Sequence, residues 1–256
     1  MRRWRLNSGY CGNTDQRRTR AGTIPMLKHT IERDLGAFAF TTDPFYSSVS
    51  LLLFGDGTNG STIINDNSQS LKTILSVGNS QISTAQSKFY GSSILFDGTG
   101  DYLTVTPTTD LVFDSGAFTV ECWFYANSLS ATLYAGLMGF HDAISPNSWG
   151  SYVRSNGVFM YGSAGTLTGG GTVSTSTWHH YAATRSGNTL RVFLNGVQQA
   201  TATVTGTYVS GGSEFRVGDD TTSNNPAFNG YINDLRITKG VARYTANFTP
   251  PTQLLG

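Results

Sequence analysis

Apolar and polar residues alternate through the stretch 178–204, and this pattern predicts three short strands joined by two tight turns. One turn falls at 186–188 and the other at Asn195-Gly196. Asn-Gly is typical of a type I′ turn, because that turn needs a positive φ at both central residues. A three-stranded meander cannot bury its apolar face alone, so we expect a second sheet to cover it. The apolar set of the middle strand is Leu190, Val192 and Leu194.

Short apolar or alternating runs separated by turn residues recur along the rest of the chain. Further strands are predicted at 49–54, 93–96, 102–106, 117–125, 133–140, 152–154, 158–161, 167–173, 214–218 and 231–238. Turn signals every 8–12 residues or so are typical of a sandwich or a barrel. Only 13% of the residues are charged and 30 are glycine, which agrees with many turns and no long amphipathic helix after residue 40. The predicted class is all-β.

The positive charge of the chain is concentrated at its start. Residues 1–33 hold eight of the 17 basic residues, so the sequence predicts an irregular basic arm over 1–44, in which 27–35 allows a short helix, followed by one sandwich domain over 45–256. Trp4 and Tyr10 are the only aromatics of the arm's first 25 residues, which argues against nucleic acid as its partner. No apolar run suits a signal peptide or a membrane span, so we expect no membrane partner.

Six stretches carry a family pattern in order along the chain: 51–60, 96–103, 118–124, 178–185, 190–196 and 230–237. Together they resemble the laminin-G-like branch of the concanavalin A-like lectin/glucanase superfamily, of the kind found in phage and marine-bacterial surface proteins. The resemblance covers about residues 45–252 and implies a jelly-roll β-sandwich of two antiparallel sheets. Members of the superfamily include glycan binders, glycosidases and structural modules, so the function has to be argued from a site.

Catalytic chemistry is disfavoured by the residues present. A retaining glycosidase needs two carboxyl groups roughly 5–5.5 Å apart, and the glutamates Glu32, Glu121 and Glu214 do not form the Glu-x-Asp-x-x-Glu pattern of the glucanase branch. His179 and His180 are adjacent on a predicted strand, so they point to opposite faces and cannot chelate one metal. We expect a protein that is not an enzyme.

Two candidate sites remain. By resemblance, Asp56 and Asp234 with a carbonyl from Gly98 are the positions that would hold a structural Ca²⁺ ion; the alternative is that Asp56 caps a turn and Asp234 pairs with an arginine. The second candidate is a glycan site around Trp149. Exposed aromatics serve as stacking surfaces for sugars beside a few polar groups, and His141, Asn147 and Tyr152 lie near Trp149 in the sequence. The alternative is that Trp149 folds over the edge of the sandwich.

These patterns predict a non-enzymatic glycan-binding or adhesion module on a phage virion or a bacterial surface protein. Its partners would be a glycan or cell-surface polysaccharide and, through the arm, other subunits of the virion or surface assembly. A homo-oligomer is a further option that the sequence leaves open. The location would be a virion or an extracellular surface, reached without a recognisable signal peptide. The alternative function is purely structural: a decoration or appendage subunit anchored by its N-terminal arm.

Overall fold

Fifteen strands and two short 3-10 turns make up the part of the chain that the computed structural model describes, which is residues 43–106, 108–140, 147–162, 166–210, 214–219 and 226–253. The predicted arm up to residue 42, its helix at 27–35 and His141 lie outside these residues. The strands are β1 Val49–Leu53, β2 Thr73–Val77, β3 Gln81–Ser83, β4 Ser93–Asp97, β5 Tyr102–Thr106, β6 Phe118–Ala126, β7 Ala135–Gly139, β8 Gly150–Arg154, β9 Gly157–Gly162, β10 Thr166–Gly170, β11 Trp178–Ser186, β12 Thr189–Leu194, β13 Val197–Thr203, β14 Arg216–Val217 and β15 Asn229–Lys239. The 3-10 turns are Tyr46–Ser48 and Thr109–Leu111.

The strands form two antiparallel sheets that pack into a jelly-roll sandwich, so the predicted fold class is confirmed. The larger sheet has eight strands in the order β13-β12-β11-β6-β15-β4-β3, with β1 also paired to β15. The smaller sheet has seven strands in the order β10-β9-β8-β7-β14-β5-β2. The predicted meander is β11, β12 and β13, and its turn residues Asn195 and Gly196 both have positive φ, 52° and 76°.

The core lies between the sheets and is built from alternate residues of each strand. On β6 the inward set is Phe118, Val120, Cys122 and Phe124, all fully buried. Each such side chain stabilises the fold by about 1.5–3 kcal/mol through removal of apolar surface from water. The outward set of β6 is Thr119, Glu121, Trp123 and Tyr125, which places these polar and aromatic residues on the outer face of the larger sheet.

Strand β15 holds the larger sheet together because it changes partner along its length. Its first half pairs with β4, its second half pairs with β1, and β6 lies along its other edge. The change is accommodated by an irregularity between Asn233 and Arg236, where Asp234 adopts a positive φ of 53°. The outward residues of β15 on either side of this irregularity are Tyr231 and Asn233 before it and Arg236 after it.

Candidate functional site

Three aromatic side chains form a row across the outer face of the larger sheet. Trp178 of β11 pairs with Tyr125 of β6, and Tyr125 pairs in turn with Tyr231 of β15. The centroid of the Tyr125 ring lies 5.7 Å from that of the Trp178 ring and 5.8 Å from that of the Tyr231 ring. All three residues are partly exposed, and within the described structure their hydroxyl and indole N–H groups bond to no protein atom. This aromatic row therefore presents both apolar surface and free hydrogen-bonding groups to solvent.

A row of polar side chains runs beside the aromatic row, one pleat further along the strands. Asn229 pairs with Asp97 of β4, and the Asn127 side-chain amide donates to Asn229 Oδ1 at 3.0 Å. Asp97 Oδ2 accepts from the Asn79 side chain at 2.9 Å. These amides and one carboxylate, here called the polar row (Asn127, Asn229 and Asp97), offer the donors and acceptors that sugar hydroxyls require.

The opposite side of the aromatic row is bounded by the loop 84–92, which joins β3 to β4. Asn233 Oδ1 accepts from the backbone N–H groups of Lys88 at 3.0 Å and Phe89 at 2.8 Å. The Phe89 ring then meets Trp123 edge to face at 6.1 Å. The aromatic row thus lies in the open strip of the sheet between this loop and the polar row.

The remainder of the outer face is covered by a cluster of charged groups and by the C-terminal segment 241–250. Glu121 is fully buried and accepts from Arg236 at 2.8 Å and from the Tyr244 hydroxyl at 2.7 Å. Asp43 accepts from both Arg236 and Arg243. Burial alone would raise the pKa of Glu121, but Arg236, His180 and Tyr244 outweigh it and lower the pKa to about 2. These groups are here called the charged cluster (Asp43, Glu121, Arg236 and Arg243). They form hydrogen bonds and ion pairs with one another beneath the C-terminal segment, so the cluster has a structural role.

The structure corrects the prediction that Trp149 is exposed. Its side chain is fully buried, its indole N–H donates to the carbonyl of Leu111 at 2.9 Å, and its ring stacks on Phe113 at 5.0 Å. The reason is that Trp149 immediately precedes β8 and points between the sheets, where Phe140 and Phe215 also contact it. A buried ring has no face left for a sugar, so Trp149 is a core residue.

The other residues predicted beside Trp149 do not gather around a common site. Tyr152 is 3% exposed and packs against Tyr134 on the outer face of the smaller sheet, opposite to the direction of Trp149. The carbonyl of Asn147 accepts from the backbone N–H of Val209 at 2.9 Å. The prediction of a glycan site in this loop is therefore wrong for Trp149 and Tyr152, because both are buried and they point to opposite faces of the smaller sheet.

Of the three positions predicted for calcium, Gly98 is separated from the other two in the fold. Asp234 is buried at the irregularity of β15, and its N–H lies 3.3 Å from the carbonyl of Phe54, two residues before the exposed Asp56. Gly98 instead follows Asp97, which pairs with Asn229, five residues or roughly 16 Å along β15 from Asp234. Gly98 thus cannot share one ion with Asp234. Among the described residues, no group of three or more His, Cys, Asp or Glu is placed to hold a metal.

The structure shows where two histidines and two glutamates that were considered for catalysis lie. His179 contacts Phe124 and hydrogen-bonds Asn195, whereas His180 lies on the other face against Trp123, as the alternation predicts. Glu121 is held in the charged cluster, and Glu214 pairs with Arg216 at 3.1 Å.

In the described part of the chain, neither short 3-10 turn has the length or hydropathy of a membrane-crossing helix.

Sequence reasoning missed the aromatic row, although a signal for it was present. Tyr125, Trp178 and Tyr231 each stand at the end of a predicted strand, and Tyr125 lies two residues beyond the outward Trp123. Alternation alone shows that Tyr125 faces outward. It does not show that β11, β6 and β15 are neighbours in the one register that aligns the three rings.

Several solved structures share this fold. The binding domain of Paraclostridial Mosquitocidal Protein 1 is similar with a TM-score of 0.60 and 13% identity, over 77% of this chain and 50% of that one. A botulinum neurotoxin type C chain is similar with a TM-score of 0.57 and 17% identity, over 77% of this chain and 49% of that one. Domain 4 of the extracellular arabinanase AbnA from Geobacillus stearothermophilus has a TM-score of 0.54 and 18% identity, over 76% of this chain and 94% of that one.

At these identities the likeness establishes the fold alone. The chain spans about half the length of the two toxin chains and nearly all of the arabinanase domain. No curated protein sequence matches it. Residues 97–243, more than half of the chain, match a laminin-G family model described as Concanavalin A-like lectin/glucanases superfamily. With its two-sheet sandwich and this match, the chain belongs to the concanavalin A-like lectin/glucanases superfamily.

Proposed function

We propose that this chain is a non-enzymatic glycan-binding module and that the aromatic row is its binding surface. The observation that carries the proposal is the alignment of Trp178, Tyr125 and Tyr231 across three strands with their polar groups unbonded. Sugar rings present apolar C–H faces and hydroxyl edges, and this surface offers aromatic groups beside the amides of Asn127 and Asn229.

The similar structures support glycan recognition as the class of function. Domain 4 of the arabinanase was solved in complex with arabinotriose, and cell entry of botulinum neurotoxin type C depends on two ganglioside molecules. The arabinanase domain is the more informative comparison, because this chain covers 94% of it. Fold similarity by itself does not transfer a ligand, so the argument for this chain depends on its own aromatic and polar rows.

The finer setting that we propose is the surface of a phage particle or of a bacterial cell, where the module would contact a polysaccharide while residues 1–42 contact other subunits. One observation also favours a structural subunit as the alternative. Asp43 bonds to both Arg236 and Arg243, so the first described residue of the sandwich is held in place, as a point of attachment under load would require.

Replacing Trp178 by Ala should weaken glycan binding at least about tenfold, because a few aromatic anchors, tryptophan above all, contribute most of the energy of a binding surface. The measurement is a glycan array with the full chain, followed by calorimetry on the strongest glycan. The matched control is Tyr161→Ala, which removes an aromatic side chain from the outer face of the smaller sheet.

Loss of binding in the Tyr161 variant with full binding in the Trp178 variant would move the site to the other sheet. A blank array with folded protein would favour the structural alternative. Repeating the array with a chelator tests the calcium ion that we propose at Asp56 and Asp234, since an ion that is needed for binding would make the signal chelator-sensitive.

A further inference from the structure

Lys88 holds a fixed positive charge at the edge of the aromatic row. The Asn233 side chain fixes the backbone of Lys88 and Phe89 through two hydrogen bonds. The Lys88 ammonium then lies 3.9 Å from the centroid of the Trp123 ring and 5.8 Å from that of Phe89. Cation–π contact of this kind restrains the ammonium over the indole face.

Lys88 has no direct ion-pair partner within the described part of the chain. Lys88 Nζ forms no ion pair and no hydrogen bond there, and the side chain of the neighbouring Asn233 is bonded to backbone groups. The Trp123 indole N–H is buried and also has no acceptor. The Lys88 ammonium is the accessible donor of this pair, since the indole N–H is buried, and an anion at the surface would supply the acceptor that the ammonium lacks.

The position of Lys88 relative to the aromatic row follows from the strand register. Trp123 stands two residues before Tyr125 on β6, and it pairs with Asn233, which stands two residues after Tyr231 on β15. Residues two apart on a strand share a face and are separated by about 7 Å. The ammonium over Trp123 therefore lies about one sugar ring away from the aromatic row.

We propose that the glycan bound on this surface is acidic: it carries a carboxylate or a sulfate that pairs with Lys88 while a neighbouring ring lies on the aromatic row. This rests on the proposed function. The charges across the site also orient the glycan, because Asp97 in the polar row repels an anion from the far side. The hydroxyls of the neighbouring sugar are left to face Asn127 and Asn229.

The test is a glycan array with the full chain as wild type and as three variants: Lys88→Met, Lys239→Met and Trp178→Ala. Methionine keeps the aliphatic stem over Trp123 and removes only the charge, and Lys239 at the far end of β15 controls for a general loss of one charge. The array carries hyaluronan, polygalacturonate and chondroitin sulfate beside their carboxyl-reduced or desulfated neutral forms, which separates carboxylate from sulfate recognition.

We expect wild type and Lys239→Met to bind acidic glycans in preference to their neutral forms. Lys88→Met should lose about tenfold to 100-fold in affinity, the worth of a charge-assisted hydrogen bond, and should lose the salt dependence of binding. Preference for neutral glycans, or equal binding by the Lys88 and Lys239 variants, overturns the inference of an acidic glycan. If Trp178→Ala still weakens binding in that case, the proposed function stands. Absence of any binding, or binding that ignores Trp178, overturns both.

Discussion

The Trp149 indole fills the space between the sheets, where Phe113, Phe140 and Phe215 surround it. Its one polar group is satisfied by the carbonyl of Leu111. At the scale of a single residue this is a large apolar group with its hydrogen bond already paired, so it contributes to stability and not to recognition. Trp178 is the opposite case, since it is partly exposed and its N–H faces solvent.

Replacing Trp149 by Ala should lower the free energy of unfolding by about 3–5 kcal/mol, the usual cost of a large cavity in a core. Trp178→Ala should cost less than about 1 kcal/mol, because little of its contact lies in the core. Urea unfolding followed by circular dichroism measures both. Similar losses for the two variants would contradict the assignment of one tryptophan to the core and the other to the surface.

At the scale of elements, the C-terminal segment 241–250 acts as a cover for the larger sheet. The rings of Tyr244 and Phe248 stack 3.6 Å apart and lie over Phe193 and His180. The segment is tied down by the Thr184 hydroxyl, which donates to the carbonyl of Tyr244 at 2.7 Å, and by the carbonyl of Gly196, which accepts from the N–H of Phe248 at 2.9 Å. The segment thus shields the charged cluster from water.

Phe248→Ala should therefore destabilise the domain by about 1–2 kcal/mol, since a partly buried aromatic loses its contacts with three rings. Ile63→Ala is the matched control, because Ile63 is 74% exposed and its truncation should change stability by under about 0.5 kcal/mol. The urea midpoints of the two variants measure the difference. A midpoint for Phe248→Ala equal to that of wild type would show that the segment does not act as a cover.

The elements also show where sequence reasoning succeeds and where it stops. The meander was predictable because Asn195-Gly196 and the alternation around Leu190 are local signals. The burial of Trp149 was not, because its direction depends on how β8 packs against the opposite sheet. The positive φ of Asp234 likewise arises where β15 changes partner from β4 to β1, a feature of strand order that no local pattern records.

At the scale of the whole molecule, the charged cluster links parts of the chain that are distant in sequence. Asp43, Glu121, Arg236 and Arg243 connect the start of the described chain to β6, β15 and the C-terminal segment. Burial would raise the pKa of Asp43 as well, but hydrogen bonds from Arg243 and the charges of Arg243 and Arg236 lower it. Both carboxylates are therefore held ionised in the folded state.

This arrangement makes the stability of the fold depend on acid pH. The pKa of Glu121 is about 2 in the folded state against an ordinary value of 4.5, so the unfolded state binds its proton first. Its stabilising contribution is full above about pH 4.5 and is lost as the pH falls toward 2, a change of roughly 3 kcal/mol. Urea unfolding between pH 5 and pH 2 measures the slope.

Glu121→Gln should be less stable at pH 5 and should show a shallower decline with acid, because only Asp43 then titrates within the cluster. Gln keeps the size of the side chain, so packing changes little. Equal slopes for the variant and the wild type would show that Glu121 does not carry the acid sensitivity.

The position of β15 has a further consequence for how the protein is made. This strand is the last of the fifteen described strands, yet it lies between β6 on one side and β4 and β1 on the other. Until residues 229–239 have been synthesised, the strand that joins β1 and β4 to β6 is missing. Closure of the larger sheet must therefore wait until β15 has emerged, and the nascent chain has to keep the apolar strands β1, β4 and β6 from pairing elsewhere during that interval.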